Sequence, residues 1–360
     1  MNSCVGCHIN PAVGGSSPAV NPQIRVAKLA GANNEIPSFL SLNGPVREAR
    51  FISNPDGTPD GGVHDLFVIT GRNDAGQCNI AQPDFASAVA SNNIIYRIPT
   101  ALFGAGLVES ITDANILANA ANPNKAALGI SGHANLSGND GTITRFGWKG
   151  QNKSMLMFAG EAYNVEIGVT NELFTNERDE TPGCMVNGLP EDDTNMNPES
   201  AMLPSGYASD IVNFAAFARL LAPPQPAQAT ASTIRGEQDF VTTGCNLCHT
   251  QTINTGGTSH FTGKTNVAVN AFSDYLVHDM GSALADNVSQ GNASGSEFRT
   301  APLWGVGKRI FFLHDGRTSD LLQAIQQHSS SGSEANQVIA NFNALTQQQQ
   351  QDLLNFLRSL

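Results

Sequence analysis

Two pentapeptides of the pattern Cys-x-x-Cys-His constrain this 360-residue chain more than any other feature, and they stand at Cys4–His8 and Cys245–His249. This spacing lets two thiols join the vinyl groups of one porphyrin while the next residue ligates its iron. A thioredoxin-like pair or a zinc site would need partner residues at other offsets. The sequence therefore predicts two covalently bound c-type haems. The attaching residues are Cys4, Cys7, Cys245 and Cys248, and the proximal iron ligands are His8 and His249.

The second axial ligand decides what each haem can do, because two protein ligands make an electron-transfer centre and an open position admits a substrate. For the second haem the candidates are His328, at the end of a helix-like segment, and Met280; we favour His328. For the first haem His64 and His133 are possible ligands, although a lone histidine is more often structural. We expect the first haem to be open or labile.

A charged turn, His314-Asp315-Gly316-Arg317, lies in sequence between Met280 and His328. Arg317 could pair with a haem propionate, because a guanidinium favours carboxylates. The alternative is a local turn held by its own salt bridge.

Charge and hydropathy exclude several classes of partner. The formal net charge of −12 would repel nucleic acid and anionic membranes, and it favours a cationic protein as docking partner. No apolar run approaches the 18 or so residues of a membrane span. No charged and apolar leader precedes Cys4, so we expect a signal peptide and an N-terminal helix to be missing from this chain. Covalent haem attachment still predicts a periplasmic or otherwise exported protein.

The chain divides at a Pro-rich, charge-free segment. We predict an N-terminal haem domain with insertions over residues 1–222, a linker over 223–232, and a C-terminal cytochrome c domain over 233–360. The fold class is mainly α, with two cytochrome c-like haem domains and loop-rich, minor β insertions in the N-terminal half. Cys78 and Cys184 remain outside the haem motifs, and their pairing stays open.

Local patterns predict the individual elements. Strand-like runs cover 65–70 and 93–98, helical spacing covers 153–167, and capping-box spacing at Thr346 opens a C-terminal helix. Residues 186–206 are polar and interrupted by proline, which predicts a surface loop.

The chain resembles the di-haem oxidoreductases related to the bacterial di-haem cytochrome c peroxidases and to the di-haem enzyme that matures methylamine dehydrogenase. The resemblance covers nearly the whole chain and rests on several long motifs. These are Val63-His-Asp-Leu-Phe67, Tyr96-Arg-Ile-Pro-Thr100, Arg145-Phe-Gly-Trp-Lys149, Asp274-Tyr-Leu-Val-His-Asp-Met-Gly281, Arg299-Thr-Ala-Pro-Leu-Trp-Gly305 and Phe312-Leu-His-Asp-Gly-Arg317.

The resemblance implies roles for particular residues. Peroxide would react at the N-terminal haem, Trp148 would relay electrons between the haems, and Glu166 would act as the catalytic acid/base. It implies His328 as the distal ligand of the second haem, and Thr300 and Pro302 as carbonyl donors to a calcium ion. The chain departs from the peroxidases at 155–157, where methionine and leucine replace a glutamine that orients peroxide.

We therefore predict a peroxidase-like oxidoreductase that passes electrons from a small redox protein, a cytochrome c or cupredoxin, to hydrogen peroxide. Two electrons are needed per peroxide, and each iron supplies one. The alternatives are a non-enzymatic di-haem electron carrier, and a maturation enzyme that oxidises side chains of a partner protein.

Overall fold

The structure is a computed structural model. It describes residues 3–178, 181, 184, 190–192, 208–257 and 262–360. Most of the predicted loop over 186–206 lies outside the described residues. The chain forms two compact units, which are interleaved along the sequence. Unit one holds residues 1–101, 155–218 and 314–316, and unit two holds residues 102–154, 219–313 and 317–360.

Helices make up most of the regular structure of the described residues, as the predicted mainly α class requires. The α-helices are α1 Phe85–Ala90, α2 Ala105–Glu109, α3 Asp113–Ala120, α4 Pro123–Ala127, α5 Met155–Ile167, α6 Asp210–Leu220, α7 Ala231–Thr243, α8 Leu321–Gln326, α9 Asn336–Asn343 and α10 Gln347–Ser359. Short 3-10 helices cover Cys4–Gly6, Pro22–Arg25, Leu29–Gly31, Cys245–Leu247, Thr262–Lys264 and Val306–Lys308.

The strands form small antiparallel sheets. They are β1 Glu48–Phe51, β2 Val63–His64, β3 Ile94–Arg97, β4 Ile253–Asn254, β5 Ala268–Val269, β6 Val277–Asp279 and β7 Glu297–Arg299. In unit one the strand order is β2-β1-β3, and Ala49 pairs with both His64 and Tyr96. In unit two β4 pairs with β5, and β6 pairs with β7.

The predictions made from periodic patterns agree with the structure. Helix α5 occupies the segment predicted from 153 to 167, and β3 lies inside the run predicted from 93 to 98. The capping box at Thr346 is present, since its hydroxyl accepts from the Gln349 N–H and the Gln349 side chain accepts from the Thr346 N–H. The Pro-rich segment has no regular structure up to α7, which begins at Ala231. The division of the chain at that segment stays a prediction.

The strand predicted over 65–70 is wrong, because no strand covers these residues. Their backbone groups bond to side chains instead of to a neighbouring strand. Asn34 donates to the Val68 carbonyl and accepts from its N–H, and Gln82 donates to the Leu66 carbonyl. Side chains that satisfy the backbone in this way replace a β ladder.

The core of unit two forms around the helix that precedes the second haem motif. Helix α7 packs along α10. An apolar cluster extends from this pair, and Cys245 packs against it. Its buried members are Phe240, Phe272, Val306, Phe312, Ala324, Phe342, Leu353, Phe356 and Leu357. The cluster therefore joins the C-terminal helix, the haem motif and α8 in one hydrophobic core.

In unit one the two cysteines outside the haem motifs form a disulfide, Cys78–Cys184, with 4.8 Å between their Cα atoms. Cys4, Cys7, Cys245 and Cys248 form no disulfide. The six cysteines thus divide into one bonded pair and two motif pairs, which settles a pairing that the sequence left open.

We predict that Gly236→Ala destabilises the protein by about 2–4 kcal/mol. A Cβ atom at Gly236 would stand 1.9 Å from the Asp352 carbonyl oxygen, so α7 would have to move away from α10. The matched control is Gly138→Ala, where a Cβ would meet nothing within 4 Å. Urea unfolding of both variants measures the difference, and equal losses would contradict the close helix contact.

Candidate haem sites

The two haem pentapeptides share one backbone conformation. Each begins with a 3-10 turn, at Cys4–Gly6 and at Cys245–Leu247. The histidine N–H then donates to the carbonyl of the first cysteine, at 2.9 Å both for His8 to Cys4 and for His249 to Cys245. This turn collects two thiols and one imidazole within five residues, as a porphyrin attached at two vinyl groups requires.

Backbone carbonyls orient both proximal imidazoles. The His8 Nδ1 lies 3.2 Å from the Gly15 carbonyl oxygen, and the His249 Nδ1 lies 3.0 Å from that of Phe272. A carbonyl only accepts, so each Nδ1 carries the proton and Nε2 remains as the nitrogen that ligates iron. Burial lowers the pKa of both imidazoles, that of His249 to about 4, which keeps them neutral as ligation requires. The residues present fit a haem at each site.

In unit two His249 and His328 lie close enough to interact electrostatically. His328 follows α8, and its Nδ1 lies 2.7 Å from the Ala324 carbonyl oxygen. Burial lowers the pKa of His328 as well. Each of these two neutral imidazoles has its Nδ1 held by a carbonyl, which leaves Nε2 as the nitrogen that could ligate a metal. His328 as the distal ligand stays a prediction.

The other candidates around the second haem have local partners. Met280 follows β6, where its N–H donates to Ser296 and its carbonyl accepts from Ser330. Arg317 is exposed, and its guanidinium donates to the Ala283 carbonyl at 2.7 Å. Both residues stay predictions.

A buried charged cluster that the sequence analysis missed lies beside Cys248. We call Lys125, Asp274, His278 and Glu334 the His278 cluster. The Asp274 carboxylate is 2.7 Å from the Lys125 Nζ and 3.0 Å from the His278 Nε2, while Glu334 is 2.7 Å from the His278 Nδ1. The Cys248 Sγ lies 3.7 Å from the same Nδ1; in a haem-bound protein that sulfur would be a thioether, which does not ionise.

In unit one Glu166 faces the iron-ligating side of His8. Its carboxylate, in the last turn of α5, has Oε2 3.9 Å from the His8 Nε2. Protein atoms surround Glu166 on many sides, and 40% of its side-chain surface is accessible. Burial, followed by the negative charges of Glu48 and Glu161, raises the pKa of Glu166 to about 8. A carboxyl group with such a pKa can both accept and donate a proton near neutral pH.

Two further features of unit one surround the first haem motif. Tyr163 lies one turn before Glu166 on α5, and burial, with a contribution from Cys4, raises the pKa of its hydroxyl to about 12. The Ser16 hydroxyl donates to the Pro99 carbonyl, which brings the Tyr96–Thr100 motif to the segment that follows His8. Tyr163 could have been found from its i, i+3 spacing to Glu166.

The alternative ligands of the first haem are engaged elsewhere. The His64 Nε2 lies 2.8 Å from an Asp60 oxygen, and its ring stacks on Phe51. The His133 Nε2 lies 2.8 Å from a Glu297 oxygen, in unit two. These contacts support the structural interpretation of both histidines, and the open first haem stays a prediction.

Trp148 stands on a tight turn of unit two that is fixed on several sides. It is 9% exposed. The Phe146 N–H donates to Asn152, and the Asn152 N–H donates back to Phe146. The next residue, Lys149, is fully buried and forms an ion pair of 3.1 Å with Asp286.

Arg299 holds this turn from β7. Its backbone N–H donates to the Trp148 carbonyl, and its Nε donates to the Gly147 carbonyl, both at 2.9 Å. Its Nη1 donates to the Thr300 carbonyl, which also accepts from the Ser273 hydroxyl. A calcium ion at Thr300 would have to replace one of these donors. The implied calcium site, with Pro302, therefore stays a prediction. No group of three or more His, Cys, Asp or Glu side chains suited to a metal ion occurs among the described residues.

The two Cys-x-x-Cys-His turns, each with a neutral imidazole, are typical of a haem-binding protein. The family model "Di-haem oxidoreductase, putative peroxidase" matches residues 49–360. The chain belongs to this family of di-haem oxidoreductases, as the sequence motifs predicted. The first pentapeptide lies before the matched residues, so the N-terminal haem rests on that motif and its geometry.

The other comparisons add little. No curated protein matches the chain. The chain is similar to hydrazine synthase from Kuenenia stuttgartiensis, with 19% identity over 42% of this chain and 55% of that one, at a TM-score of 0.27. It is also similar to a MauG-like protein associated with microbial copper homeostasis, with 18% identity over 42% and 52%, at a TM-score of 0.30. The chain spans about half the length of each, and scores this low carry no argument.

In the part of the chain that the structure describes, no helix combines the length and the hydropathy needed to cross a bilayer.

We predict that Glu334→Gln makes the stability of the protein less dependent on pH in the acid range. Burial alone would raise the pKa of Glu334, but the hydrogen bond and the charge of His278, together with the hydrogen bonds of Ser131, outweigh this and lower the pKa to about 2. The ionised form therefore stabilises the fold above about pH 4.5, and this stability, up to about 3 kcal/mol, is lost as the pH falls towards 2. Urea unfolding at pH 6 and pH 3 should show a smaller difference for the variant. Glu237→Gln is the control, and it should behave as the wild type does.

We predict that Arg299→Met loosens the Trp148 turn. The variant loses the donors to Gly147 and Thr300 but keeps the backbone bond to Trp148. Amide hydrogen exchange over 146–152 should accelerate by at least tenfold, because each buried bond contributes about 1–3 kcal/mol. Arg235→Met, in an ion pair whose arginine is 53% exposed, is the control. Unchanged exchange in Arg299→Met would show that the turn keeps its conformation without the side-chain hydrogen bonds of Arg299.

Proposed function

We propose that this chain is an exported, peroxidase-like di-haem enzyme that reduces hydrogen peroxide at its N-terminal haem. The observation that carries the proposal is the position of Glu166, 3.9 Å from the ligating nitrogen of His8 and with a pKa raised to about 8. An electron carrier with both irons saturated has no need of such a group.

The chemistry assigns Glu166 a proton transfer. Reduction of one peroxide to two waters takes two electrons and two protons and breaks the O–O bond. A bound haem supplies the iron at which peroxide reacts. The Glu166 carboxylate would accept the proton of the near oxygen and return it to the leaving oxygen, which departs as water. Because burial holds its pKa near 8, the group changes protonation state within the physiological range.

The electrons would arrive through the second haem, held by Cys245, Cys248 and His249 with His328 as its distal ligand. Trp148 would carry them on, and the hydrogen bonds of Arg299 to its turn would hold its orientation. The donor would be a small cytochrome c or a cupredoxin. The net charge of −12 favours a donor with a cationic docking surface.

The disulfide Cys78–Cys184 supports export. Structural disulfides persist in oxidising compartments and are rare in the cytoplasm, and covalent haem attachment belongs to the same compartments. A periplasmic location fits both features.

The test measures electron paramagnetic resonance of the oxidised, haem-loaded protein before and after hydrogen peroxide. The proposal expects one high-spin or labile iron that changes with peroxide, and turnover with a cytochrome donor. Two low-spin signals that do not change on addition of peroxide would overturn the proposed enzyme in favour of the electron carrier. A persistent oxidised state with no turnover of cytochrome donor would point to the maturation enzyme instead.

We predict that Glu166→Gln slows the reaction with peroxide by about 10²–10⁴-fold, because the amide cannot accept a proton. The wild-type rate should rise as the pH increases through about 8, since only the ionised carboxylate accepts the proton, and the variant should lack this rise. Stopped-flow absorbance of the haem bands measures both rates. Glu35→Gln, an exposed acid of unit one, is the control. A variant as fast as the wild type would remove Glu166 from the mechanism.

A further inference from the structure

Arg309 of unit two is a cation with no partner among the described residues. It directly follows the 3-10 helix Val306–Lys308. Its Nε and Nη2 atoms are buried and have no hydrogen-bond partner. Burial lowers the pKa of its guanidinium to about 10, and no neighbouring carboxylate contributes to raise it again.

Such a group is costly. Arg309 is half-buried, and each of its two buried donors without an acceptor costs about 1–3 kcal/mol. Two other buried cations of unit two pair with carboxylates, Lys125 with Asp274 and Lys149 with Asp286. The guanidinium of Arg309 is therefore suited to an anion that the described residues do not provide.

The position of Arg309 along the chain relates it to the second haem motif. Val306 and Phe312, on either side of it in sequence, belong to the buried cluster against which Cys245 packs. Leu321 and Ile325 of α8 pack against the same cluster, and α8 leads to His328. Arg309 thus lies in a segment whose two ends, Val306 and Phe312, belong to the core that the second haem motif and α8 share.

We propose that Arg309 binds a propionate carboxylate of the C-terminal haem. This inference rests on the haem assigned to Cys245–His249 under the proposed function. A c-type haem brings two propionates, and a guanidinium matches a carboxylate with two parallel hydrogen bonds. The sequence analysis assigned this contact to Arg317, but Arg317 is exposed and donates to the Ala283 carbonyl.

The contact would set the redox behaviour of the second haem. The positive charge of Arg309 offsets the propionate charge, which otherwise stabilises the ferric state. Loss of the guanidinium should therefore lower the reduction potential of that haem. A tenfold change in the one-electron equilibrium constant corresponds to about 59 mV.

The experiment compares the haem-loaded wild type with Arg309→Gln and Arg309→Lys. Potentiometric titration should show one of the two haem steps moved to lower potential in Arg309→Gln by about tenfold in equilibrium constant. Resonance Raman spectra should show a shifted propionate-bending band in both variants, since lysine keeps the charge but loses the paired hydrogen bonds. Lys308→Gln removes one charge at an exposed neighbouring position and controls for general electrostatics.

The sign of the stability change gives an independent readout. With a propionate partner, Arg309→Gln should destabilise the haem-loaded protein, because the propionate loses its cation. Without one, the same change removes an unpaired buried charge and should stabilise it. If Arg309→Gln yields too little folded protein, the Raman band of Arg309→Lys decides.

Three outcomes would overturn the proposal: increased stability of Arg309→Gln, unchanged propionate bands in both variants, or a band shift produced by Arg317→Gln instead. None of these measurements uses peroxide. A wild type that fails to react with peroxide would therefore refute the proposed enzyme activity and leave the assignment of Arg309 intact.

Discussion

The hydrogen bond from the histidine N–H to the carbonyl of the first cysteine closes each haem pentapeptide into a single turn. This turn fixes where the thiols and the imidazole stand, and a carbonyl at Nδ1 then fixes the direction of Nε2. In unit two α7 leads into the motif. It packs closely against α10 because Gly236 has no side chain at the contact. In unit one the carboxylate of Glu166 faces the same nitrogen of His8. The remaining structure serves to place groups around two imidazoles.

Features that depend on a few neighbouring residues could be predicted from the sequence. The pentapeptides, the capping box at Thr346 and helix α5 are of this kind, because each follows from local spacing. The strand predicted from the apolar run over 65–70 was wrong for a physical reason. Its backbone groups bond to Asn34 and Gln82, and no local pattern shows that distant side chains will take the place of a partner strand.

The candidate sites divide in the same way. The roles of Glu166 and Trp148 came from a motif resemblance, whereas His328 was favoured from its place at the end of a helix-like segment and the resemblance agreed; all three stay predictions. The His278 cluster could not have been predicted, since Lys125 and Asp274 are 149 residues apart. Arg309 had no distinguishing motif at all, and only its burial without a partner draws attention to it. Chemistry that arises from tertiary contact is visible only in the fold.

The arrangement of six cysteines has a consequence for biogenesis. Under the proposed function Cys78 and Cys184 have to be oxidised, whereas the four motif cysteines have to stay reduced until porphyrin reaches them. An exported chain would meet both demands in one oxidising compartment, where thiolates exchange with disulfides. A wrongly formed bond within Cys4–Cys7 or Cys245–Cys248 would block haem attachment, so the order in which the thiols react determines the yield of mature protein. Expression hosts that oxidise the chain before they supply haem should accumulate colourless, misbridged polypeptide.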